Sequence, residues 1–132
     1  MKIDSKAFAE RWISEWNRKD LEAMLAHFSE DVVFTSPRAK ALLGSPIVEG
    51  KSRLREYWTK AIGQIQTIRF TLDCVISDGE RMGIVYVAEI DGRRLRCVEF
   101  LVFGDDGLIC AGEAMHGIEL SAGSASSAHP IA

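Results

Sequence analysis

From Met82 to Ile118 the chain runs through three strand-like segments, separated by Asp91-Gly92-Arg93-Arg94 and Gly104-Asp105-Asp106-Gly107-Leu108. Such Asp/Gly punctuation between β-favouring runs predicts three consecutive antiparallel strands. The middle run, Cys97-Val98-Glu99-Phe100-Leu101-Val102-Phe103, is apolar except for one carboxylate, Glu99. A lone acid in a strand that otherwise seeks burial is costly unless it is partnered or neutral. Glu99 is therefore the first candidate for chemistry.

The turns set expected registers. A two-residue loop with Gly92-Arg93 at its tip pairs Asp91 with Arg94, and so Tyr86 with Glu99 and Ile84 with Leu101. Pairing Gly104 with Leu108, with Gly107 in a left-handed bulge position, puts Glu99 opposite Glu113. One face then carries Tyr86, Glu99 and Glu113, ringed by Ile84, Cys97, Leu101, Ala111 and Met115. A one-residue slip at the second turn would turn Glu113 away. The reverse face, Val85, Val87, Val98, Phe100 and Val102, is too apolar for a sheet with solvent on that side. It predicts a homodimer through this face, with Glu89 opposite Arg96 as a cross-strand ion pair.

Upstream, helical spacing dominates. Asp4 or Ser5 can cap a helix to about Asn17 with Phe8, Trp12, Ile13 and Trp16 on one stripe. Asp20 caps a second with Leu21, Met24, Leu25 and Phe28. Residues 31–36 read as a strand stopped by Pro37, and 38–49 as a loop. A third helix starts near Gly50, presents Leu54, Tyr57, Trp58, Ala61 and Ile62, and ends at Gly63. Thr67 to Ser77 is a long strand with Phe70, Leu72, Cys74 and Ile76 in alternation. This order predicts an α+β domain over residues 1–120, three N-terminal helices packed on a strongly curved, mostly antiparallel sheet. The small, polar tail 121–132 is expected to be disordered.

Composition narrows function mainly by exclusion. A net charge of −3 gives no footprint for nucleic acid or an anionic membrane. The N-terminus lacks the apolar core of a signal peptide, and three unpatterned cysteines suit reduced thiols, so a cytoplasmic location is expected. The scattered His27, His116 and His129 form no ligand motif, and neither metal nor cofactor is expected. Gly44-Ser45-Pro46-Ile47-Val48-Glu49-Gly50-Lys51-Ser52 is not a phosphate loop: five residues separate its glycines, and Pro46 and Glu49 oppose an anion.

Phe8-Ala9-Glu10-Arg11-Trp12, the stretch from Trp16 to Phe28, Asp31-Val32-Val33-Phe34-Thr35-Ser36-Pro37, and Glu49-Gly50-Lys51 leading into Leu54-Arg55-Glu56-Tyr57-Trp58 resemble the SnoaL-like group of the nuclear transport factor 2-like superfamily. That resemblance implies a cone-shaped α+β barrel of the cystatin-like kind, usually homodimeric, with a pocket between helices and sheet. Members include ketosteroid isomerases, polyketide cyclases, dehydratases, epoxide hydrolases and domains with no known chemistry. Ketosteroid isomerases place a carboxylate base near the end of the first strand, where this chain has Thr35-Ser36-Pro37, which disfavours steroid isomerisation. Tyr86 with Glu99 resembles their oxyanion pair in chemistry.

The expected catalytic set is Glu99, Tyr86 and Glu113. Burial should raise the pKa of Glu99, a neighbouring Glu113 would raise it further, and Tyr86 would donate to substrate or to Glu99. Trp12, Trp16, Phe34, Ser36, Tyr57, Trp58, Phe70, Cys97, Leu101 and Met115 are the expected ligand-binding residues, although tryptophans on such stripes are more often core than ligand stackers. His27 is expected to complement a helix C-terminus, His116 to lie on the opposite sheet face, and Cys97 to be inert. Two classes stay open: a cofactor-independent isomerase, cyclase, dehydratase or hydrolase acting on a hydrophobic oxygenated molecule, and a non-catalytic binding or dimerisation module. An open pocket reaching Tyr86 and Glu99 favours the first; one filled by Trp12, Trp58 and Phe70 favours the second.

Overall fold

A computed structural model describes residues 3–120; the tail 121–132, expected to be disordered, lies outside them. The order is α1 (Ser5–Asn17), α2 (Leu21–Leu25), β1 (Phe28–Thr35), α3 (Pro37–Leu43), β2 (Ile47–Glu49), α4 (Lys51–Gly63), β3 (Ile68–Asp78), β4 (Arg81–Ile90), β5 (Arg93–Phe103) and β6 (Ile109–Leu120). One six-stranded sheet, in the order β2-β1-β6-β5-β4-β3, curves around the helices as the α+β reading expects. All neighbouring pairs are antiparallel except β1 and β6.

Local chemistry accounts for the helix starts. The Asp4 carboxylate accepts from the Ala7 amide at 3.1 Å, and that of Asp20 from the Ala23 amide at 3.2 Å. The segment read as a loop from Arg38 instead holds α3 and the short strand β2. Pro37 starts α3, where its missing N–H costs nothing, and Gly44 ends it at φ 88°. Phe28 belongs to β1 rather than to the second helix.

Two bulges and one hairpin decide which side chains face inward. Asp91 and Gly92, at φ 50° and 87°, form the two-residue loop, so Ile90 pairs with Arg93 and Glu89 with Arg94. Positive φ at both central positions suits Asp-Gly, whereas a Gly92-Arg93 tip would force arginine there. The pairing moves by two residues and every expected face survives: Tyr86 pairs with Cys97, and Ile84 with Glu99. Glu89 therefore meets Arg94 at 3.1 Å, while Arg96 pairs with Asp73. In β3 the register shifts between Leu72 and Cys74, turning Cys74 and Ile76 outward and Val75 toward the core.

The second turn closes as expected, Gly104 donating to the Leu108 carbonyl at 2.8 Å with Gly107 at φ 82°. Beyond it, Cys110 is an extra residue: Phe103 pairs with Ile109 but Val102 with Ala111. This bulge reverses the alternation of β6. Glu99 faces Ala114, and Glu113 faces Phe100 on the outer side. At the inward position 112 only glycine fits: a Cβ there would lie 2.9 Å from the ring of Phe34.

The core between helices and sheet is aromatic. Trp58 meets Trp16, Phe28 and Phe34 edge-on, with centroids 5.3, 5.2 and 5.6 Å apart. Phe70 stacks on Trp16 and lies against Tyr86. Asn17, expected only to end α1, fastens that helix to β3: its Nδ2 donates to the Phe70 carbonyl at 3.0 Å, and its Oδ1 accepts from the Phe70 amide at 2.6 Å.

Candidate functional site

The concave face of β3 to β6 and helices α1, α3 and α4 enclose a cavity of about 430 Å³, open at one side. Trp12 and Trp16 reach it from α1, Tyr57 and Trp58 from α4, Phe34 from β1 and Phe70 from β3. Each faces inward because it falls on its helix's apolar stripe or its strand's inward parity. The volume lies within the range of small-molecule sites, so these rings line space rather than fill it.

Glu99 and Tyr86 form the deep wall. Glu99 is 3% exposed, lines the cavity, and no side chain among the described residues hydrogen-bonds its carboxyl. Burial pushes its pKa up to about 8, so the group is predominantly protonated at neutral pH. The Tyr86 hydroxyl rests against the Cys97 thiol, and burial, reinforced by the charge of Glu99, raises its pKa well above the usual phenol value. Burial likewise raises Cys97 to about 11, which keeps it a thiol and a poor nucleophile.

A second polar pair stands at the end of β1. Ser36 and Tyr57 share a hydrogen bond of 2.8 Å between buried oxygens. Burial raises the Tyr57 pKa, while Ser36 and Arg38 act against that rise. Ser36 thus holds the tyrosine hydroxyl in the cavity wall. Arg38, Arg93 and His116 line the open side.

Several expected placements need correction. Glu113 and Met115 lie on the outer face, opposite Phe100 and Val98, because of the Cys110 bulge, so neither joins the cavity. Leu101 faces inward but is packed beneath the cavity lining against Gly112. His116, expected on the outer face, pairs with Cys97 and reaches the cavity rim for the same reason that Glu113 leaves it. His27 does not complement a helix end alone: its Nε2 lies 2.8 Å from Oε1 of buried Glu15. Arg38 and Arg93 carry no sequence signal as lining residues; both are ordinary surface arginines until the fold brings them to one rim.

Residues 9–112 match the family model of the SnoaL-like domain. The chain belongs to the SnoaL-like family. Among solved structures, a SnoaL-like protein of unknown function from Burkholderia thailandensis is 26% identical, with a TM-score of 0.77 over 86% of this chain and 94% of that one. An NTF2-like protein of unknown function from Burkholderia pseudomallei is 21% identical, with a TM-score of 0.73 over 86% and 92%. TerC, co-crystallised with polyporic acid, is 18% identical, with a TM-score of 0.71 over 86% and 92%. No curated protein matches the sequence. The SnoaL-like fold thus accounts for the cone of helices and sheet. No helix among the described residues is long and apolar enough to cross a membrane.

Proposed function

We propose that this SnoaL-like domain binds a hydrophobic, oxygenated small molecule and moves a proton to or from it through Glu99, without a cofactor. The carrying observation is a buried carboxyl that lines an open aromatic cavity and lacks any side-chain partner among the described residues. A purely structural acid would spend its oxygens on neighbouring donors. With a pKa of about 8 the group is a ready proton donor at neutral pH, and the ionised fraction, roughly a tenth there, serves as a base. Tyr86 and Tyr57 stay protonated and supply hydrogen bonds to a developing oxyanion. Isomerisation, cyclisation and dehydration next to a carbonyl all fit these roles. A filled pocket would favour the non-catalytic reading; the open one does not.

The test is hydrogen exchange at carbon. A panel of cyclic ketones and β-hydroxyketones incubated in D₂O should show catalysed deuterium uptake beside the carbonyl, read by NMR. Glu99→Gln should lower that rate by about 10²–10⁴-fold, the usual worth of a positioned acid or base. Exchange at the wild-type rate in Glu99→Gln, or none with any member of the panel, refutes proton transfer by Glu99.

We also propose that the outer sheet face covers itself with a second copy. Val85, Val98 and Met115 form a continuous row across β4, β5 and β6, and Ile76, Gly83 and Phe100 form the next. Met115 and Ile76 are 41% and 64% exposed in the single chain, an apolar surface that a monomer would leave wet. Light scattering should return twice the chain mass at micromolar concentration; the mass of one chain would refute pairing.

A further inference from the structure

The rim of the cavity differs from its interior. Inside, among the described residues, the buried acid is Glu99; at the opening stand the exposed Arg38, Arg93 and His116. Arg93 is committed to Glu119 through two hydrogen bonds of 3.0 and 3.2 Å. Arg38 has no acidic partner among the described residues, and its polar contact is a 3.4 Å bond to Oε1 of Gln64. The surplus is local: the chain as a whole is acidic, with a net charge of −3. A guanidinium without a counter-ion on the lip of an apolar chamber is an anion-binding group in waiting. His116 feels it, since burial and then the charge of Arg38 disfavour protonation of the imidazole. The neutral ring keeps one N–H to donate.

We propose that the molecule held in this cavity is an organic acid, a ring system whose carboxylate stays at the rim on Arg38 and His116 while its uncharged end reaches Glu99. This assigns a substrate class to the site and rests on the reading of the cavity given above. The orientation follows from desolvation. A carboxylate driven inward would lose its hydration among Trp12, Phe34, Trp58 and Phe70 and approach an acid that it would oppose once ionised. Turned outward, it keeps water on one side and a guanidinium on the other. A neutral ligand of the same shape gains the aromatic contacts and leaves Arg38 unused.

Calorimetric titration with 2-naphthoate and its uncharged isostere 2-naphthamide separates the two at neutral pH. The acid should bind about tenfold more tightly than the amide, the modest worth of a charge-assisted pair at a half-solvated rim. In Arg38→Gln that preference should fall to near unity with amide affinity unchanged, which also shows that the variant is folded. In Glu99→Gln the preference should persist, so this inference stands or falls apart from proton transfer. Equal binding of acid and amide by the wild type, a preference that survives in Arg38→Gln, or no binding of either compound overturns it.

Discussion

Glu99→Gln should make the protein more stable than wild type at alkaline pH and bring the two together in acid. The sign follows from linkage. The carboxyl has a pKa of about 8 when folded against 4.5 in the open chain, so folding favours its protonated form. Its cost is therefore absent below about pH 4.5, grows as pH rises toward 8, and is constant above. The difference between 4.5 and about 8 corresponds to an upper figure of about 5 kcal/mol, so a difference of a few kcal/mol is expected above pH 8. Glutamine is nearly isosteric and cannot ionise. Urea unfolding of both proteins at equal concentration, from pH 4.5 to 9, should show midpoints that diverge through this window; curves that stay parallel would mean that the carboxyl is not buried as described.

Trp58→Ala should be the most damaging single truncation in the cavity wall. Trp58 is 2% exposed and joins α4 to α1 and β1 through edge-on contacts with three rings. Losing a buried tryptophan costs about 3–5 kcal/mol, and the void merges with the existing cavity, which leaves little chance of collapse. Melting followed by circular dichroism should fall by roughly 10 °C or more. Trp58→Phe, which keeps most edge contacts, should lose less than half as much. A melting point for Trp58→Ala within a few degrees of wild type would show that the aromatic cluster is not what holds α4 in place.

What the sequence discloses and what it hides divide along a physical line. Parity survives any shift of two residues, so Tyr86, Cys97 and Glu99 could be placed on one face even with the Asp91-Gly92 loop misplaced by one position. Parity does not survive a bulge. Cys110 and Asp73 look like ordinary strand residues, and their insertion exchanged Glu113 for Ala114, Met115 for His116, and Cys74 for Val75. The clue in β6 is volume: Gly112 is small because the ring of Phe34 lies over it. Gly44 and Pro46 give the segment the signature of a loop and mask the helix-forming run from Arg38 to Leu43 that becomes α3. The rim arginines carry no local signal, since nothing in the sequence relates position 38 to position 93.

Asn17 has a consequence for the molecule's behaviour in crowded solution. Strand β3 is the last in the sheet, and at Phe70 both outward-pointing peptide groups are already taken by one carboxamide. That side chain imitates a single residue of a seventh strand. Any foreign chain seeking to extend the sheet at this margin meets a position with nothing left to offer, and would first have to prise α1 from its seat. The same clamp that steadies the aromatic wall thereby acts as a stopper against runaway self-association.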